Sequence, residues 1–131
     1  MDSKRLFDAS LDDRGAEGEI EWAPPALLLE VAEGDDDLIR EVTADFERDT
    51  ENRLEKSRQA LASGEMAKLR AEAHAIKGGA RQVGAVAVAD ICQQIELSAL
   101  QASPYELADR LTQLEVEFRR ICAAMRAHLS R

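Results

Sequence analysis

Ala71-Glu72-Ala73-His74-Ala75-Ile76-Lys77-Gly78-Gly79-Ala80-Arg81 is the stretch around which the rest of the chain can be ordered. Extended by a turn on each side, it brings Met66, Leu69, Ala73, Ile76, Ala80 and Val83 into register at alternating steps of three and four. That period belongs to one buried stripe on an amphipathic helix. His74 follows Ala73, so at roughly 100° per residue it lies off the stripe, toward solvent.

The neighbours of His74 separate by type around the helix. Arg70, Lys77 and Arg81 lie to one side of it, and Ala67, Ala71 and Gly78 to the other. The imidazole therefore has cations on one flank and almost no side-chain bulk on the other. Two glycines within a helix cost about 1 kcal/mol each relative to alanine. A bare backbone beside an exposed imidazole is the arrangement expected where something large must approach it.

The helices on either side can be traced outward from this one. Gly84 is the sharp turn that ends it, and a helix from about Ala85 to Ala99 follows, with Val88, Ile91, Cys92 and Ile95 inward. Pro104 then opens a long helix on which Leu107, Leu111, Leu114, Phe118, Ile121, Met125 and Leu129 form a near-heptad. Upstream, Ser63-Gly64 breaks a helix that starts near Asp36 and carries Leu38, Ile39, Val42, Phe46, Leu54 and Leu61, with Thr50 and Ser57 filling inward turns. Asp36 and Asp37 suit its positive end. A short helix opened by Pro24-Pro25, with Leu27, Leu28, Leu29 and Val31 as its apolar content, is stopped at Gly34. No segment alternates like a strand. The predicted fold class is all-α, an antiparallel up-down-up-down four-helix bundle with a short N-terminal capping helix.

Composition agrees and narrows the function. In 131 residues, 45% are hydrophobic but only 4% aromatic, which suits an aliphatic and alanine core between close helices. A formal net charge of -9 argues against nucleic-acid binding and for a soluble monomer. No apolar run reaches the roughly 20 residues that cross a bilayer, and the start of the chain lacks the apolar core of a signal peptide. Cys92 and Cys122 fall on apolar faces and read as buried, reduced thiols of a cytoplasmic protein. Residues 1–21 combine acids with Gly15 and Gly18 and no periodicity, the pattern of a flexible acidic leader; the bundle is expected over residues 22–131, with Trp22 marking where order begins.

Two features converge on His74. It stands ten residues before Gly84, and Glu96 twelve after it. At about 1.5 Å per residue the two are level on the hairpin, near 15 and 18 Å from the bend. A Glu96 carboxylate accepting from the Nδ1–H would fix the tautomer and leave Nε2 outward as a nucleophile. The helix from Met66 to Val83 also carries Lys68, Arg70, Lys77 and Arg81 against Glu72 alone, a net positive element in an acidic chain. Local cations suit a phosphoryl dianion or an acidic partner surface.

The run from His74 to Ala85, followed by Val88, Cys92, Ile95 and Glu96, resembles the signature of histidine-containing phosphotransfer (HPt) domains of bacterial phosphorelays, over about Pro24 to Leu129. The resemblance implies a four-helix bundle with His74 as phospho-acceptor. Lys77 and Gly78 match the lysine and glycine that follow that histidine, and Glu96 the polar residue near the imidazole. Gly79 and Ala80 replace the small hydroxyl residues common in the family. The resemblance further implies a carrier without autokinase activity. Its expected partners are response-regulator receiver domains and a hybrid sensor kinase. Mg²⁺ is expected only on the receiver domain, and the carrier itself needs no cofactor. The chain has no Gly-rich nucleotide loop. A di-iron bundle would need Glu-x-x-His pairs, and Ala71 and Met125 stand three residues before His74 and His128 instead. A phosphate-independent interaction bundle is the alternative; it accounts for the helices and the charge but not for Gly78-Gly79 beside His74.

Overall fold

The computed structural model describes residues 20–131. The leader expected over residues 1–21 therefore lies, apart from Ile20 and Glu21, outside the described residues. Among these the protein is all-helical: α1 (Ala26–Ala32), α2 (Asp36–Ala62), α3 (Met66–Val83), α4 (Val86–Ser98) and α5 (Pro104–Leu129).

Local chemistry accounts for the boundaries. The Asp35 side chain accepts from the backbone N–H groups of Asp37 and Leu38, capping α2. Ser103 and Glu106 form a reciprocal capping box at the start of α5, with Pro104 in the first turn. Gly84 ends α3 at φ 77°, a left-handed cap that only glycine adopts without strain.

Each long helix turns one stripe inward. On α3, Leu69, Ala73, Ile76, Ala80 and Val83 are all buried, as their spacing requires. On α2 the inward set is Ile39, Thr43, Phe46, Thr50, Leu54, Ser57 and Ala60. Of its three buried hydroxyl residues, Thr43 and Ser57 donate to the carbonyls of Arg40 and Arg53, at 3.0 and 2.8 Å. In the helical bundle α3 packs between α2 and α4, and α5 packs against both α4 and α2. Phe46 of α2 and Phe118 of α5 meet edge to face at 6.0 Å across it. Cys92 and Cys122 are free and buried, and loss of water pushes each thiol up to about 12.

The segment leading into α1 is tied to the end of α3. Trp22 is buried, and its indole Nε1 donates to the Val83 carbonyl at 2.6 Å. Its ring meets His128 edge to face at 5.4 Å. Pro25 lies against the α3–α4 turn so closely that a Cβ on Gly84 would sit 2.8 Å from its Cγ. On α1 itself only Leu28 and Ala32 turn inward, while Leu27, Leu29 and Val31 are exposed. A helix of two turns resting on one side has room for a single buried i, i+4 pair, so most of the expected apolar content of α1 faces out.

Candidate functional site around His74

His74 sits mid-way along α3 with its side chain 68% exposed, while Ala73 before it and Ile76 after it are sealed in the core. The buried stripe thus fixes the helix rotation and holds the imidazole at the surface. Glu96 of α4 reaches it across the hairpin: its Oε2 lies 2.7 Å from His74 Nδ1. An ionised carboxylate can only accept, so Nδ1 carries the proton and the Nε2 lone pair points away from the protein.

The second oxygen of Glu96 is also engaged. Lys77 Nζ lies 2.6 Å from Oε1, and Nζ also donates to Gln93 Oε1 at 3.3 Å. Lys77 is only 12% exposed, so its ammonium faces α4 and not the solvent beside the imidazole. The Lys77 ammonium, and after it the contact with His74, hold the Glu96 carboxyl below the usual carboxylate range against the opposing effect of partial burial.

The remaining residues expected at the site are distributed around this cluster. Arg81 is exposed, its nearest polar partner being Gln93 Oε1 at 3.5 Å. Arg70 is exposed and has no ion-pair partner among the described residues. Glu72, the one acid of α3, turns away from His74 and pairs with Arg53 of α2 at 3.0 Å. Gly78 is exposed, and a Cβ built there would meet nothing within 4 Å. Gly79 points the other way, where a Cβ would touch the Phe46 ring at 3.5 Å. The flank of Gly78, together with exposed Ala67 and Ala71, is therefore a low shelf of backbone next to the imidazole.

Gln93 was not expected at the site. It precedes Glu96 by three residues on α4, so the helical offset that brings Glu96 to the α3 surface brings Gln93 there as well, one turn nearer Gly84.

A surface imidazole with a fixed tautomer, an outward Nε2 and an open approach is equipped to take and release a small electrophilic group. It has no enclosing pocket, so whatever reacts with it must arrive on another surface. The Hpt domain family model matches residues 41–128, about two thirds of the chain. The chain belongs to the Hpt domain family. Hpt domains act in histidine-based phosphotransfer within two-component signalling, as phosphocarriers that interact with receiver domains. No curated protein and no solved structure matches the chain at a significant level. The Hpt match covers α3, α4 and all but the last residue of α5; Trp22, Pro25 and α1 lie outside it. No helix among the described residues is long and apolar enough to cross a membrane.

Proposed function

We propose that this Hpt domain accepts a phosphoryl group on His74 Nε2 from the aspartyl phosphate of a receiver domain, and passes it to the aspartate of another. The observation that carries the proposal is the contact of Glu96 Oε2 with His74 Nδ1 at 2.7 Å on a side chain otherwise open to solvent. In the forward step the Nε2 lone pair attacks phosphorus. An N–P bond forms, the P–O bond to the aspartate breaks, and the carboxylate leaves with the electron pair. The ring gains positive character as this happens, and the Glu96 carboxylate on the Nδ1–H side stabilises it without giving up or taking a proton. The reverse sequence on a second receiver restores His74.

In this reading the work is divided between the two proteins. The receiver domain supplies the Mg²⁺ and the residues that activate its own acyl phosphate, and the carrier needs no cofactor. Gly78, Ala71 and Ala67 leave the approach to Nε2 clear, while Arg70 and Arg81 provide positive charge for the phosphoryl group or the receiver's acidic surface. The packing of α3 between α2 and α4, with α5 closing onto α2, and the short connections support an antiparallel up-down-up-down order for α2 to α5. A hybrid sensor kinase upstream, a cytoplasmic site of action and a monomeric carrier complete the proposal, and the leader and bundle divide near Trp22.

The test is transfer of label from a receiver domain charged with labelled acetyl phosphate. Wild type and His128→Ala take up label that is lost in acid and kept in base, as a phosphoramidate requires, and His74→Ala takes up none. Labelling of His74→Ala at the wild-type rate would overturn the proposal.

A further inference from the structure

We infer that Lys77 is a positioning residue that acts on His74 through Glu96, and that it is not a ligand of the phosphoryl group. The inference rests on His74 being the phospho-acceptor. By its place in the sequence, three residues after His74 on the same cationic flank, Lys77 is the natural candidate to offset phosphoryl charge. The geometry assigns it elsewhere. Its Nζ is held by two oxygens of α4, Glu96 Oε1 at 2.6 Å and Gln93 Oε1 at 3.3 Å, and its side chain is 12% exposed beside an imidazole that is 68% exposed. The charged end is therefore turned toward the hairpin seam, whereas Nε2 is turned out of it.

The two oxygens of Glu96 have separate tasks. Oε2 receives the Nδ1–H of His74, and Oε1, which is closed off from solvent, faces Lys77. Removing the ammonium would leave Oε1 as a buried anionic oxygen facing no cation. A carboxylate in that position either rotates toward water or takes up a proton. Rotation frees Nδ1 and protonation leaves it a weaker, uncharged acceptor, so the tautomer is held less firmly and Nε2 carries the proton part of the time. Gln93 belongs to the same unit, because it keeps Nζ at the height of Glu96 on the α4 surface.

The inference predicts that Lys77 has no effect of its own once Glu96 is gone. The experiment uses four proteins, wild type, Lys77→Met, Glu96→Ala and the double variant, each spanning the full chain. Two quantities are read: the ¹⁵N signals of the His74 ring, which separate the Nδ1–H and Nε2–H tautomers, and the rate of transfer from a receiver domain charged with acetyl phosphate. Both single variants are expected to move the ring signals toward a tautomer mixture and to slow transfer by about tenfold, with the double variant no slower than either single one within about twofold. The inference is overturned if Lys77→Met slows transfer while leaving the ring signals at their wild-type positions. It is equally overturned if adding Lys77→Met to Glu96→Ala slows transfer by a further factor of about ten, since a direct contact with phosphate survives the loss of Glu96. Should the wild-type protein take no phosphate at all, the assignment of His74 as acceptor fails instead. The ring signals then still report whether Lys77 positions the imidazole.

Discussion

The residue on which most else turns is Glu96. Its carboxylate is ionised more readily in the folded chain than in water, chiefly because of the Lys77 ammonium and secondarily because of His74. A carboxyl whose folded pKa is depressed adds stability above its unfolded pKa of about 4.3, and that stability is lost as pH falls through the lower, folded value. Acid should therefore weaken the wild-type protein more than a variant without this group. In urea unfolding followed between neutral pH and about pH 3, Glu96→Gln is expected to show a smaller drop in midpoint than wild type. Equal drops would mean that the carboxylate is solvated and the contacts at 2.7 and 2.6 Å contribute nothing in solution. Part of this residue's environment was legible in the sequence and part was not. Counting residues on either side of Gly84 puts Glu96 level with His74, because helical rise is nearly invariant. The destination of the Lys77 ammonium could not be counted in the same way. A four-carbon stem on the boundary of a helix can turn to solvent or to the seam, and only the oxygens presented by Glu96 and Gln93 decide which.

At the scale of elements, two glycines of the same hairpin make opposite demands. Gly78 lies in regular helix with open space where a Cβ would stand, so nothing within the protein requires it. Gly84 has φ 77° and is pressed by Pro25, so a side chain there meets both strain and a contact at 2.8 Å. Gly78→Ala is expected to raise stability by about 1 kcal/mol, and Gly84→Ala to lower it by about 1–2 kcal/mol. Thermal unfolding of the two variants checks the signs directly. Gly78→Leu should unfold near wild type and yet accept phosphate from a receiver domain much more slowly, since its bulk falls only in the path of an approaching surface. Normal transfer by Gly78→Leu would mean that the open shelf has no bearing on docking. The helix limits themselves were legible almost to the residue, since glycine or proline punctuates each connection and the inward stripes between them keep the helical period, with small hydroxyl residues filling the turns of α2 that lack an apolar one. The strap formed by Trp22 and Pro25 across the end of α3 was not, although Trp22 itself stood out as the start of order. Its anchor is the backbone carbonyl of Val83, and a backbone acceptor leaves no mark in the side-chain pattern.

Across the whole molecule the charge is uneven in a way that bears on association. The chain carries a net charge of -9, yet α3 presents Arg70 and Arg81 on the same helix as His74 while Glu72 is tied to Arg53 and Glu96 to Lys77. Such a local field adds little to stability, because exposed charges are screened and most surface pairs contribute under about 1 kcal/mol. It acts on encounter instead, by favouring approaches that bring an acidic partner surface or a phosphoryl dianion to this face. Steering of this kind has a defined dependence on salt, since the screening length falls from about 10 Å at 0.1 M to about 3 Å at 1 M ionic strength. The double variant Arg70→Ala, Arg81→Ala is therefore expected to lower kcat/KM for transfer from a charged receiver several-fold at low ionic strength. The rate at saturating receiver should be left near wild type, and the difference between the two proteins should vanish as salt is raised. Transfer assays over receiver concentration at two salt levels separate the cases. A loss that appears in the saturating rate and persists in high salt would mean that one of these arginines touches the phosphoryl group during transfer, and that the positive charge of α3 belongs to the chemistry and not to the approach.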